Sequence, residues 1–323
     1  MLTLQLWIHT LKLRSFCRHA ATPGQTRTTL DWHSRRITAL LENALLEDKA
    51  TRDATTAVCI APGIRATATI HAKQECILSG LGCVTRVLQI FEQLDKSTIG
   101  HYEVISHPEI FDGIRLHDRQ AIAVIRHNAR AILSCERVIL NVLQRLSGIA
   151  TKTRKFVDAV AGTRARILDT RKTAPGLRVL DKYAVRCGGG QNHRLDLSDG
   201  VLIKNNHIAL GGGIQTVLRK ALQNRTGEQP IEIEVRNLDE MEEALQHGAE
   251  AILLDNMTPE MVTKAVERIK HHSRRLPLEA SGGINLQNVR AYAETGVDFI
   301  SVGALTHSFD SIDISMKITP ALI

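Results

Sequence analysis

Residues 165–173 read Ala165-Arg166-Ile167-Leu168-Asp169-Thr170-Arg171-Lys172-Thr173, a short apolar run that breaks into an acid and two cations. The same form recurs down the chain. Val201 to Ile203 runs into Lys204-Asn205-Asn206-His207, Ile231 to Val235 carries Glu234 and Arg236 at its end, and Ala251 to Leu254 precedes Asp255-Asn256. Leu278 to Ala280 leads to Ser281-Gly282-Gly283, and Phe299 to Val302 leads to Gly303. Helix-length segments separate these runs, so the pattern predicts βα units of a parallel sheet. Polar or glycine residues at the end of every strand point to a βα barrel, whose active site sits at the carboxyl rim; an open doubly wound sheet has less use for every tip. Six such units fall short of eight, which predicts a partial, irregular barrel.

The preceding part has a different rhythm. Leu30, Ile37, Leu40, Leu41, Ala44, Leu45 and Leu46 recur at helical spacing and predict a helix over 31–48 capped by Asp31. Strands are expected at Ala57 to Ala61, Ala66 to Ile70, Tyr102 to Ser106 and Ala121 to Ile125, with helices over 79–94 and 129–161. Mixed elements of this kind form an α+β unit.

Between Asp169 and His207 the cations follow apolar runs and flank Gly188-Gly189-Gly190, where a solvated helix would alternate cations with acids at i,i+4. That arrangement calls for a polyanionic ligand. The formal charge of +7 is no nucleic-acid footprint, because Lys12, Arg14, Arg18 and Arg27 leave only +3 for the rest, and aromatics are 3% of the chain. The short cluster His271-His272-Ser273-Arg274-Arg275 reads as a solvated helix end. Six cysteines without a CxxC pair or zinc-type spacing indicate neither a disulfide framework nor a structural metal, and they suit a reducing, cytoplasmic compartment. No apolar run reaches membrane-spanning length. Residues 1–30 are basic and free of acids, an ordinary extension or an organelle-targeting segment.

Longer stretches carry a family likeness. Glu136-Arg137, Leu146-Ser147-Gly148-Ile149-Ala150-Thr151, Asp169-Thr170-Arg171-Lys172-Thr173, Lys182-Tyr183-Ala184-Val185-Arg186-Cys187-Gly188-Gly189-Gly190 and Asn192-His193-Arg194 resemble quinolinate phosphoribosyltransferase. The likeness continues through Leu202-Ile203-Lys204-x-Asn206-His207, Ile231 to Val235, Leu254-Asp255-Asn256-Met257, Glu279 to Ile284 and Ser301 to His307, so it spans roughly residues 35 to 317. The resemblance implies an α/β protein with an N-terminal α/β sandwich over 31–145 that can receive the C-terminal tail, followed by a partial α/β barrel over 146–323. It also implies a homodimer with shared active sites, a larger oligomer being left open, and de novo NAD biosynthesis as the setting.

The implied reaction joins quinolinate to phosphoribosyl pyrophosphate, giving nicotinate mononucleotide, pyrophosphate and carbon dioxide. Two adjacent carboxylates call for fixed guanidinium forks, and the resemblance assigns quinolinate to Arg171, Arg194 and the partner subunit's Arg137, with His193 and Lys204 beside them. Lys172 and Lys204 suit the departing diphosphate. Glu234 and Asp255 suit ribose hydroxyls or Mg2+, directly or through water, which makes Lys172, Lys204, Glu234 and Asp255 the expected catalytic set. The loops at Ser281, Gly282, Gly283 and Gly303, feeding helix N-termini, are expected to take the 5′-phosphate. Arg236 and Asn205 stand where the family commonly has acids. Two alternatives share the fold: a related transferase with another acceptor, and a lyase forming a Schiff base through Lys172 or Lys204.

Overall fold

A computed structural model describes residues 28–98, 100–227, 229–272 and 275–321. Most of the basic extension, and Ser273 and Arg274 of the basic cluster, therefore lie outside the described residues. The chain forms two compact units. One takes in the described residues of 28–152 with 174–189 and 309–321, and the other takes in 153–173 and 190–308.

In the first unit, strands β1 (Arg65–Ala72), β2 (Cys76–Ile77), β3 (Glu103–Ile105), β4 (Arg115–Leu116) and β5 (Ala121–Asn128) pair antiparallel, β1 with β5, β3 with β5 and β2 with β4. Ala66, Ala68, Ile70 and Ala72 alternate onto the buried face of β1. Helix Arg35–Glu47 buries Ile37, Leu41 and Leu45, one stripe at i, i+4 and i+8, and packs on helix Gly82–Leu94. It starts later than its apolar pattern suggests, because the Asp31 carboxylate accepts from the His33 N–H and Ser34 becomes the N-cap.

The expected strand at 57–61 is instead the end of helix Ala54–Cys59. Asp53 Oδ1 accepts from the Thr56 N–H at 3.0 Å and Oδ2 from its hydroxyl at 2.5 Å, so the cap overrides the β-favouring composition.

Helix Ala129–Ala159 runs out of this unit and contributes its last turns to the next. The second unit contains β6 (Arg166–Leu168), β7 (Val201–Ile203), β8 (Ile231–Val235), β9 (Ala251–Asp255), β10 (Leu278–Ser281) and β11 (Phe299–Ser301), all parallel, in the spatial order β6-β11-β10-β9-β8-β7. The chain steps from β7 back to β11 in order and leaves β6 and β7 at opposite edges, which is an α/β barrel open at one seam. Gln191 lies along the free edge of β6: its N–H donates to Ile167 O at 2.8 Å and its carbonyl accepts from Asp169 N–H at 3.1 Å. The seam thus carries the residues leading into His193.

Two segments depart from sequence order. Residues 174–189 pack with the first unit, where Tyr183 and Cys187 join Ile77 and Ala150 in one apolar cluster. The final strand β12 (Ile314–Pro320) pairs antiparallel with β1, Ala68 opposite Ile318, so the tail closes the first unit's sheet.

Candidate active site

The barrel residues singled out above stand at the carboxyl ends of the strands, save His193 and Arg194, which follow the segment along the free edge of β6. Lys204 follows β7 and is the N-cap of helix Asn205–Gly211; its N–H donates to His207 Nδ1 at 2.9 Å while its carbonyl accepts from the His207 N–H at 2.8 Å. The lysine-x-asparagine-histidine motif is therefore in part a helix cap that fixes the backbone at Lys204. Its ammonium reaches across to β8, where Nζ lies 2.5 Å from Glu234 Oε2.

Asp255 ends β9 beside this pair. Burial and then the Glu234 charge raise its carboxyl above the ordinary aspartate range, while Asn256, Lys204 and Lys172 pull it back. The two acids and two lysines consequently share one electrostatic neighbourhood. Lys172 itself is held by its backbone: its N–H donates to Thr170 Oγ1 at 3.0 Å and its carbonyl accepts from the Thr306 hydroxyl at 2.8 Å. A Cβ on Gly303 would stand 3.0 Å from Lys172 Cδ, so the glycine clears the path of the lysine stem.

The Ser281-Gly282-Gly283 loop leaves β10 next to Asp255. Gly282 has φ +95°, and a Cβ there would meet Asn256 Oδ1 at 2.2 Å and Asn256 N at 2.9 Å. No other residue fits without moving the loop. Contrary to expectation this loop does not run straight into a helix, since Val289–Glu294 begins several residues later, and the helix after Gly303 is the single turn Ala304–His307. Loop N–H groups, not helix dipoles, are what these glycines offer an anion.

On the seam side, buried Asp169 accepts from Asn192 Nδ2 at 2.6 Å and from the His193 N–H at 2.9 Å. This anchors the segment that presents Arg194. Burial and the nearby Arg171 lower the Arg194 guanidinium below its usual value, while Glu232 and Asp199 pull it back, so two like charges are gathered here with acids beside them. Asp169 serves the backbone and Asn192 here. Arg236 is neutralised locally, with Nη2 at 2.7 Å from Glu240 Oε1 on the following turn.

The imidazole of His193 lies between the next residue and two buried acids. Its Nδ1 accepts from the Arg194 N–H at 2.7 Å, and its Nε2 lies 3.2 Å from Glu232 Oε2 and 3.5 Å from Glu279 Oε2. Both nitrogens face the protein. Glu232 and Glu279 were not singled out from sequence; their signal was an acid inside an otherwise apolar strand, Glu232 on the same face of β8 as Glu234. Burial and Glu232 push the Glu279 carboxyl up to about 7, and Ser301 Oγ donates to its Oε1 at 2.5 Å.

Arg137 is exposed on helix Ala129–Ala159, in the first unit, so the barrel does not itself contain it. Burial pushes the Cys187 thiol up to about 12, so it is held as the neutral thiol. Among the described residues no helix is long and apolar enough to cross a membrane.

Comparison with known proteins agrees over nearly the whole chain. Residues 53–147 match the family described as quinolinate phosphoribosyl transferase, N-terminal domain, and residues 149–317 match its C-terminal domain. A probable carboxylating nicotinate-nucleotide pyrophosphorylase of Bacillus subtilis is 42% identical over 288 residues, 88% of this chain and 94% of that protein. The carboxylating nicotinate-nucleotide pyrophosphorylase of Mycobacterium leprae is 41% identical over 279 residues, 86% of this chain and 95% of its own. The crystal structure of NadC from Streptococcus pyogenes superposes with a TM-score of 0.83 at 36% identity, covering 91% of this chain and all of that one.

Proposed function

Because the chain belongs to the quinolinate phosphoribosyltransferase family, we infer that its barrel rim performs that family's reaction. The chain is a pentosyltransferase of de novo NAD biosynthesis: it transfers phosphoribosyl from phosphoribosyl pyrophosphate to quinolinate and yields nicotinate mononucleotide, pyrophosphate and carbon dioxide. One observation supports the assignment of roles above the rest. Arginines 171 and 194 cluster on the seam side, while Lys172, Lys204, Glu234 and Asp255 form a mixed-charge group beside the Ser281 loop.

The arginines would each take a carboxylate of quinolinate as a bidentate fork, which relieves their mutual repulsion. The pyridine nitrogen then faces the anomeric carbon. As the bond to diphosphate breaks, positive charge develops on the ribose, and Glu234 and Asp255 hold its hydroxyls while Lys172 and Lys204 receive the departing charge. The new N–C bond leaves the pyridine nitrogen cationic, so the electron pair left when the adjacent carboxylate departs as carbon dioxide is stabilised within the ring until that carbon takes up a proton from solvent. No covalent enzyme intermediate is needed.

Magnesium fits this group: Glu234 and Asp255 are hard oxygen donors, and the Asp255 carboxyl, raised first by burial and then by the Glu234 charge, is one whose charged form a cation would favour. Bound with the diphosphate, it would supply further charge neutralisation to the leaving group. We place the 5′-phosphate on the loop of Ser281, Gly282 and Gly283, and assign completion of the quinolinate pocket to the partner subunit's Arg137 in a homodimer. The cytoplasm is the compartment we assign.

A Schiff base at Lys204 is disfavoured by one contact. Lys204 is half-exposed and paired with Glu234, whereas an amine that condenses with a carbonyl needs a desolvated, unpaired setting. The test is direct: purified protein with quinolinate, phosphoribosyl pyrophosphate and magnesium should release nicotinate mononucleotide and carbon dioxide in equal amounts. Folded protein that forms neither would overturn the assignment.

A further inference from the structure

Two buried glutamates meet under the acceptor pocket, and the reaction as described makes no use of them. Glu232 is 3% and Glu279 1% exposed, on strands β8 and β10, and both direct a carboxylate oxygen at Nε2 of His193, at 3.2 and 3.5 Å. Glu232 Oε1 and Glu279 Oε2 accept no hydrogen bond in the described structure, although both are shut away from water. Burying a carboxylate in this way is costly unless something is held by it. The group that faces both is the imidazole.

The opposite edge of that imidazole is also engaged. Nδ1 accepts from the Arg194 N–H at 2.7 Å, so this nitrogen carries no proton and the ring proton belongs on Nε2, facing the glutamates. The Ser301 hydroxyl, 2.5 Å from Glu279 Oε1, fixes the second carboxylate in turn. The result is a chain of contacts from the barrel interior to the backbone of Arg194: Ser301 to Glu279, the two carboxylates to Nε2, and Nδ1 to the Arg194 N–H.

We propose that Glu232 and Glu279 are positioning residues for quinolinate: they orient His193, which through Nδ1 sets the backbone from which the Arg194 guanidinium reaches the acceptor carboxylate. His193 then acts on the substrate chiefly by fixing its neighbour. The proposal rests on the reading that Arg194 binds quinolinate. A guanidinium fork loses much of its advantage if its base can swing, because two parallel hydrogen bonds demand a fixed plane. The ligand atoms of this cluster lie within 4.8 Å of one another, but a neutral imidazole that binds a metal through Nε2 carries its proton on Nδ1, and the Arg194 N–H contact excludes a proton there.

The test uses the full chain and the coupled reaction. Glu279→Met and Glu232→Met remove the acceptors at similar volume, and replacing a buried charge by a well-packed apolar group does not by itself unfold a protein. Each should raise KM for quinolinate by roughly tenfold or more while KM for phosphoribosyl pyrophosphate moves by less than about twofold, with the thermal midpoint level or higher. Glu279→Gln, which keeps an acceptor oxygen, should recover most of the loss. Wild-type turnover is the control for the underlying reading, so an inactive wild type indicts that reading and an active wild type with unaltered Met variants indicts this one. Parallel shifts in both KM values with a lowered midpoint would show a merely structural role and overturn the proposal. An independent measurement needs no altered carboxylate: in nitrogen-15 spectra of histidine-labelled enzyme, assigned with His193→Gln, Nε2 of His193 should carry the proton. A proton on Nδ1, or a stoichiometric metal removed by chelation together with the His193 signal shift, would also overturn it.

Discussion

Lys204 Nζ and Glu234 Oε2 meet at 2.5 Å across neighbouring parallel strands, which joins a cation from the tip of β7 to an acid from the tip of β8. The pair is half open to solvent on the lysine side, so its value lies less in stability than in holding both groups ready for a substrate that carries both signs.

Breaking that pair should be costly in turnover. Glu234→Gln and Lys204→Met are each expected to lower kcat/KM by roughly 10²–10³-fold, and the double variant should lose less than the product of the two. Steady-state kinetics of the three proteins decides it; strictly multiplicative losses would mean that the two side chains act separately.

Gly282→Ala should damage phosphate binding more than folding. A methyl group at this position collides with Asn256 and sits on a backbone of φ +95°, so the loop has to shift. KM for phosphoribosyl pyrophosphate should rise about tenfold or more, with KM for quinolinate much less affected. An unchanged KM for phosphoribosyl pyrophosphate would place the 5′-phosphate elsewhere.

Shared sites predict rescue between two dead proteins. Arg137→Ala and Arg171→Ala, each inactive alone, should regain about a quarter of wild-type specific activity after random subunit exchange, because half of the dimers then carry one intact site. Exchange proven by mass, without activity, would put Arg137 outside the site.

Acid sensitivity should arise in the first unit. His127 is fully buried against Tyr102, and burial, with a smaller push from Arg65, lowers its imidazole to about 4; Glu92 Oε1 at 3.6 Å is too distant to offset this. The unfolded chain binds a proton near 6.5 and the folded one only near 4, so between these values unfolding takes up a proton and stability rises with pH. The contribution is complete above about 6.5 and is lost on acidification towards 4, at no more than ~1.4 kcal/mol per pH unit. Urea midpoints measured across this range should show the slope, and His127→Phe should flatten it.

Much of the barrel was legible because its signals are local. Apolar runs of three to five residues with polar tips mark β6 to β11 wherever the chain alternates with helices, and the structure places each strand within a residue or two of its run. Charges at strand tips were readable for the same reason, since the end of a parallel strand in a barrel faces the rim regardless of what surrounds it. The strand expected at 57–61 failed where a local feature of shorter range, the Asp53 cap, outweighed β-favouring composition.

The sequence by itself thus determined the order of elements, the cation and acid sets at the rim and the family they resemble. Tertiary structure alone decided the rest: that residues 174–189 and β12 close the first unit, that Gly303 clears Lys172, and that Glu232 and Glu279 converge on His193. Those facts depend on contacts between residues far apart in the chain. Whether a buried acid is a liability or an anchor is set by what packs against it, and no local pattern records that.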